Sequence, residues 1–209
     1  HAAGVPLIVD NTVATPSLCR VFDFGADIAV HSLTKYIGGH GTTIGGAIVD
    51  SGKFDWVANR DRFAILNEPD PSYHGVVYTE ALGAAAYIGR CRVVPLRNTG
   101  AALSAQASFQ LMQGLETLSL RMERHCQNTE AVARYLSDHP AVEWVNYATL
   151  PESPYYETCQ RICGGKASGI LSFGIKGGKE AGARFIDALQ LILRLVNIGD
   201  AKSLACHPA

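Results

Sequence analysis

Ile28-Ala29-Val30-His31-Ser32-Leu33-Thr34-Lys35-Tyr36-Ile37-Gly38-Gly39-His40-Gly41 decides the fold of this chain, because an apolar run gives way within a few residues to hydroxyls, an amine and a glycine turn. A short apolar run closed by turn residues reads as a strand buried on both faces, as in a parallel sheet. Upstream, Val5-Pro6-Leu7-Ile8-Val9 ends in the same way at Asp10-Asn11-Thr12, and downstream Gly45-Gly46-Ala47-Ile48-Val49 ends at Asp50-Ser51-Gly52. Residues 16–22 leave room for one short helix between the first two runs. Three strands within residues 5–50 predict an α/β sheet.

In open α/β sheets ligands bind outside the carboxyl ends of the strands. Asp10, Ser32, Thr34 and Lys35 all stand at such ends, so they are expected to share one cleft. Two hydroxyls followed by a glycine-rich turn with free N–H groups can hold a phosphate. A lysine beside that phosphate stays a cation or forms an imine. A carboxylate such as Asp10, paired with a pyridine nitrogen, keeps the ring protonated and able to accept electrons. Singly, each element is more often a cap or a solvated turn, but the order and spacing together suit pyridoxal 5'-phosphate. His31 and His40 read as backbone anchors beside the turn and Tyr36 as a packing residue.

The rest of the chain is consistent with a globular enzyme. Its 209 residues are 47% hydrophobic and 18% charged, with a net charge of −1, which excludes a disordered tail and gives no field for nucleic acid or an acidic membrane. No apolar run approaches the roughly 18 residues of a membrane span. Six scattered cysteines contain no C-x-x-C pair, so a reduced, cytoplasmic protein without a metal is expected. Residues 54–98 are turn-rich. From 104 to 137 apolar residues recur at helical spacing, interrupted by Gly114 and closed by His139-Pro140, which fits one bridging helix or two consecutive ones. On it, Arg121, Arg124 and His125 form a solvated or interlobe face. Strands at Val142-Glu143-Trp144-Val145 and 170–175 and a helix over 179–192 complete a second, smaller α+β lobe. The expected division is 1–115 and 116–209.

Val9-Asp10-Asn11-Thr12, AVHSLTKYIGGHGTTIGG over residues 29–46, LETLSLRMERH over 115–125 and GILSFGIKGG over 169–178 resemble the Cys/Met-metabolism family of fold-type I pyridoxal-phosphate enzymes. The resemblance runs over nearly all of the chain. It implies the aspartate-aminotransferase-like α/β fold, here as the back half of the large cofactor domain and most of the C-terminal domain. It implies pyridoxal 5'-phosphate as cofactor, with Lys35 forming the Schiff base and then moving protons, Asp10 pairing with the pyridinium nitrogen, Thr12 close to the ring, and Ser32 and Thr34 on the phosphate. Asn197 corresponds to a position near the substrate α-carboxylate.

Within the family, KYIGGHGTTIGG, the stretch 54–98 and the ending VNIGDAKSLACHPA resemble the branch that performs γ-replacement on O-acetylhomoserine with sulfide or a thiol. Cystathionine synthesis and γ-elimination share every residue named, and a catalytically incomplete piece is the third alternative. The family also implies a small-molecule amino-acid substrate and a homotetramer of tight dimers. Asn98, where the family has Asp, and Ala105, where it has Pro after the serine, depart from its pattern away from the cofactor residues. The opening at His1 without Met, and the close at His207-Pro208-Ala209, lead to the expectation that these residues are an internal part of a longer polypeptide.

Overall fold

The computed structural model describes residues 2–207. Its first sheet has the order β1 (Ile8–Asp10), β2 (Ile28–Ser32), β3 (Gly46–Asp50). β1 and β2 are parallel, with Ile8 opposite Ile28 and Asp10 opposite Val30, joined by the short helix α1 (Thr15–Leu18) and a 3-10 turn at Val21–Phe24. β3 runs antiparallel to β2, with Ser32 opposite Gly46 and Ile28 opposite Asp50. The α/β sheet is therefore mixed: the parallel reading of the apolar runs holds for β1 and β2 and not for β3. A parallel return needs a crossover over a sheet face, whereas residues 33–45 make a π-helical turn and a glycine-rich coil that reverse the chain at the end of β2. Burial on both faces holds for β2, where Ile28 and Ala29 are sealed, but Ile8, Ile48 and Val49 on the flanking strands stay exposed among the described residues.

The turn-rich stretch contains α2 (Ala64–Asn67), α3 (Tyr78–Leu82), α4 (Ala86–Cys91) and α5 (Arg97–Thr99). These short pieces cover β2 with a core of Ile28, Phe54, Trp56, Leu66, Tyr78 and Ala86. The long helical pattern resolves into two consecutive helices, α6 (Ala105–Glu116) and α7 (Leu118–Ser137). Ser104 opens the first by accepting the Ala107 amide at 3.1 Å, an N-cap bond, and the break falls at Thr117. α7 packs Leu118 and Met122 against Tyr36 and Ile37, which ties it to the turn after β2.

β4 (Val142–Asn146) and β5 (Ser172–Ile175) form an antiparallel pair, and α8 (Tyr156–Cys163) lies between them in sequence. α8 is marked in the sequence only by the spacing of Cys159 and Cys163, and Gly164 in the left-handed conformation (φ 60°) ends it. α9 (Gly178–Asp187) stops short of the expected residue 192, because the chain turns to pair β6 (Leu193–Arg194) with β7 (Leu204–Ala205) in parallel. Two-residue strands carry too little periodicity to be read in sequence.

Candidate active site

Asp10 closes β1, and its Oδ1 accepts the Thr12 amide at 3.0 Å. Hydrogen bonds from the Thr12 hydroxyl and amide hold the Asp10 carboxyl below the usual carboxylate range. The same Thr12 Oγ1 accepts the Ser32 amide at 2.8 Å, so one hydroxyl bridges the ends of β1 and β2. Beneath this bridge Asn11 is buried; its amide donates to Val30 O at 2.9 Å and its Nδ2 to Cys19 O at 3.0 Å, which fixes the turn that presents Asp10. His31 is buried beside them with Nδ1 unpartnered, and burial pushes its pKa down. A neutral packed ring is what that environment favours.

Past Ser32 the chain makes a single π-turn over Leu33–Ile37, and Lys35 leaves helical geometry there with φ −90° and ψ −129°. The turn points the amine across the molecule: Lys35 Nζ donates to Asn197 Oδ1 at 2.6 Å, a contact across 162 positions of sequence. The segment bearing Asn197 fits closely because of Gly199 (φ +76°), where an added Cβ would stand 2.4 Å from the Tyr36 nitrogen. Ala201 N donates to Gly39 O at 3.2 Å and completes the contact.

Thr34 is turned toward the start of β3. Its hydroxyl accepts the Gly45 amide at 3.1 Å and donates to Gly45 O at 3.3 Å. Of the predicted site residues, Thr34 alone lines a hollow of about 450 Å³ between the glycine turn and α6, with His40, Thr43, Gln110, Gln113 and Thr117. Asp10, Thr12, Ser32 and Lys35 do not line it.

The structure thus brings Asp10, Thr12 and Ser32 together at the carboxyl ends of β1 and β2 and places Lys35 against Asn197. His40 Nδ1 lies 2.7 Å from Gly38 O as a turn anchor, and Tyr36 is buried, with its hydroxyl accepting the Gly169 amide at 3.2 Å and its ring edge-on to His125. Arg124 is exposed, while Arg121 turns inward onto the carbonyls that follow Lys35. Arg121 and Gly199 were missed as site residues; the only trace of Arg121 is its place one helical turn past the Gly114–Thr117 break. Among the described residues no three metal-ligating side chains converge.

The donor set fits pyridoxal phosphate in kind: an amine for an imine, a carboxylate kept ionised for a ring nitrogen, and hydroxyls at a glycine turn for a phosphate. The sequence profile described as Cys/Met metabolism PLP-dependent enzyme matches residues 1–209. Among similar proteins, a homocysteine synthase from Schizosaccharomyces pombe is 52% identical over all of this chain and 49% of its own length. An O-acetyl-L-homoserine sulfhydrylase from Leptospira meyeri is 48% identical over 99% of this chain and 48% of its own. A solved Campylobacter jejuni structure containing N'-pyridoxyl-lysine-5'-monophosphate superposes with a TM-score of 0.93 at 43% identity, covering 99% of this chain and 49% of that one. The chain spans about half the length of the curated relatives it matches. Its fold is that of fold-type I pyridoxal-phosphate enzymes, and with a family profile matching from end to end the chain belongs to the PLP-dependent enzymes of Cys/Met metabolism.

Proposed function

We propose that the protein to which this chain belongs performs γ-replacement on O-acetylhomoserine, exchanging acetate for sulfide or a thiol to give homocysteine or methionine. The observation that carries the reading is the Lys35 amine held 2.6 Å from Asn197 in a turn flanked by Asp10, Thr12 and Ser32. The names of the relatives support the choice of substrate. Pyridoxal phosphate, when bound, supplies an electron-accepting ring that stabilises negative charge at the substrate Cα.

Lys35 would hold the cofactor through its amine and, once released, take the α-proton and return protons along the substrate. Asp10 would face the ring nitrogen, and its bonds from Thr12 keep the carboxylate charged at neutral pH, as a protonated ring requires. Thr12 would lie against the ring. Ser32 would bind the phosphate with a hydroxyl that has no partner among the described residues, and Thr34 would share its hydroxyl between phosphate and Gly45. Asn197 would serve twice, with Oδ1 orienting the lysine and Nδ2 free to donate to the substrate α-carboxylate.

The same reading takes the enzyme to be a homotetramer of tight dimers. The break at Thr117 supports a division of the chain near residue 115 into a large-domain part and a C-terminal part. Six free cysteines support a cytoplasmic location, and among the described residues no helix is long and apolar enough to cross a membrane. Borohydride reduction of the loaded protein and peptide mapping are expected to place a pyridoxyl group on Lys35, and O-acetylhomoserine with sulfide to yield homocysteine. A label on Lys53, or on no lysine, overturns the assignment. Faster turnover with cysteine than with sulfide moves it to cystathionine synthesis.

A further inference from the structure

We infer that Arg121 is a positioning residue for Lys35, acting through the main chain that follows it; the inference rests on the role proposed for Lys35. The π-turn leaves specific carbonyls unpaired. Gly38 N donates to Leu33 O and Gly39 N to Lys35 O, both at 2.8 Å, so those two acceptors are satisfied within the turn. The next two are satisfied by Arg121, whose Nη1 donates to Tyr36 O at 2.6 Å and whose Nη2 donates to Ile37 O at 3.1 Å. Nη2 also donates to Gly114 O at 2.5 Å near the C-terminal end of α6, and Nε donates to Thr117 Oγ1 at 3.1 Å in the α6–α7 break. One planar group therefore pins the Tyr36–Ile37 and Ile37–Gly38 peptides, the second and third after Thr34–Lys35, to the junction of two helices.

Two glycines make the clamp possible. A Cβ at Gly39 would stand 2.4 Å from Arg121 Nη1, and one at Gly114 would stand 2.5 Å from both Ile37 O and Gly38 O. Both glycines keep side chains out of the space where guanidinium, turn and α6 meet. Gly199 lies close against the Lys35–Tyr36 peptide itself. The main chain from Lys35 to Ile37 is thus contacted by both Arg121 and the 197–201 segment.

Arg121 has no carboxylate partner among the described residues, and partial burial pulls its pKa down, so the site desolvates a cation and returns only neutral acceptors, three carbonyls and one hydroxyl. That is a poor arrangement for stability alone and a good one for fixing geometry. Lysine cannot replace it, because an ammonium lacks the planar fork that spans three carbonyls and a hydroxyl at once.

The test compares the cofactor-loaded parent with Arg121→Lys and Arg121→Ala. Hydrogen exchange of a peptide covering residues 33–41 is expected to be faster in both variants, while peptides from β2 keep parent protection. In Arg121→Lys the borohydride label stays on Lys35, the pH midpoint of the bound cofactor's absorbance moves, and kcat falls about a hundredfold with KM little changed, the loss expected when a reacting group is displaced by about an ångström. If Arg121→Ala does not fold, Arg121→Lys carries the test. Parent exchange rates, absorbance midpoint and kcat in Arg121→Lys overturn the inference while the role of Lys35 stands. An unlabelled Lys35 in the parent overturns that role and this inference with it.

Discussion

The turn at residues 33–41 and the stretch at 54–98 are both built of short, irregular helical pieces, yet different things fill the space around them. Around Trp56 it is rings: Phe54 and Phe63 meet it edge-on at 4.6 and 5.1 Å and Tyr87 stacks at 5.6 Å, over a floor of Ile28 and Leu66. Around Lys35 it is backbone, brought close by Gly39, Gly114 and Gly199 and held by Arg121 and Asn197. Ring packing spreads its stabilisation over many weak contacts, whereas the turn spends directional hydrogen bonds on placing one amine. Damage to the first should therefore appear as lost stability, and damage to the second as lost chemistry.

Lys35→Ala gives the sharpest break on the chemical side. Turnover is expected to fall by about 10⁴-fold or more, the upper end for loss of a proton-transferring side chain. The thermal midpoint of the cofactor-free protein should barely move, since Nζ makes one hydrogen bond. Turnover within tenfold of the parent would erase the contrast. Trp56→Ala is the counterpart: a core aromatic truncation costs about 3–5 kcal/mol, read as a lower urea midpoint, and borohydride should still label Lys35 in the folded fraction. An unchanged urea midpoint would show that the rings are not what holds 54–98 on the sheet.

Asp10→Asn comes next, with an expected loss of about a hundredfold in kcat, the scale of one group facing developing charge, and with cofactor still bound. Its pH signature has a definite sign. The folded carboxyl titrates below the unfolded value of about 3.9, so its contribution to stability is present above that value and is lost as pH falls through the lower folded pKa. Urea midpoints of cofactor-free Asp10→Asn should accordingly depend less on pH at the acid end, and an identical acid limb would remove the Thr12 account. Arg134→Ala should do least. Its pair with Glu130 lies one helical turn apart on α7 with both side chains exposed, so neither the urea midpoint nor turnover should move measurably.

Much of the site was legible because its residues are local. Asp10, Thr12, Ser32, Thr34 and Lys35 stand within or beside two strand ends, and short apolar runs closed by polar residues mark such ends. Asn197 was reached through resemblance, since no periodicity links it to Lys35. Arg121 was read as part of a face, because a helical stripe does not say which of Arg121 and Arg124 turns inward.

The sequence by itself determined the strand ends, the helical pattern over 104–137, the catalytic lysine candidate and the family, because these rest on periodicity, turn chemistry and ordered motifs along short lengths of chain. Tertiary structure alone decided that β3 runs antiparallel, that 193–205 folds into a strand pair, and that Asn197, Gly199 and Arg121 close on Lys35. The reason is physical: direction of return and closeness of approach are set by which distant backbones can touch without a side chain between them, and no local pattern records that.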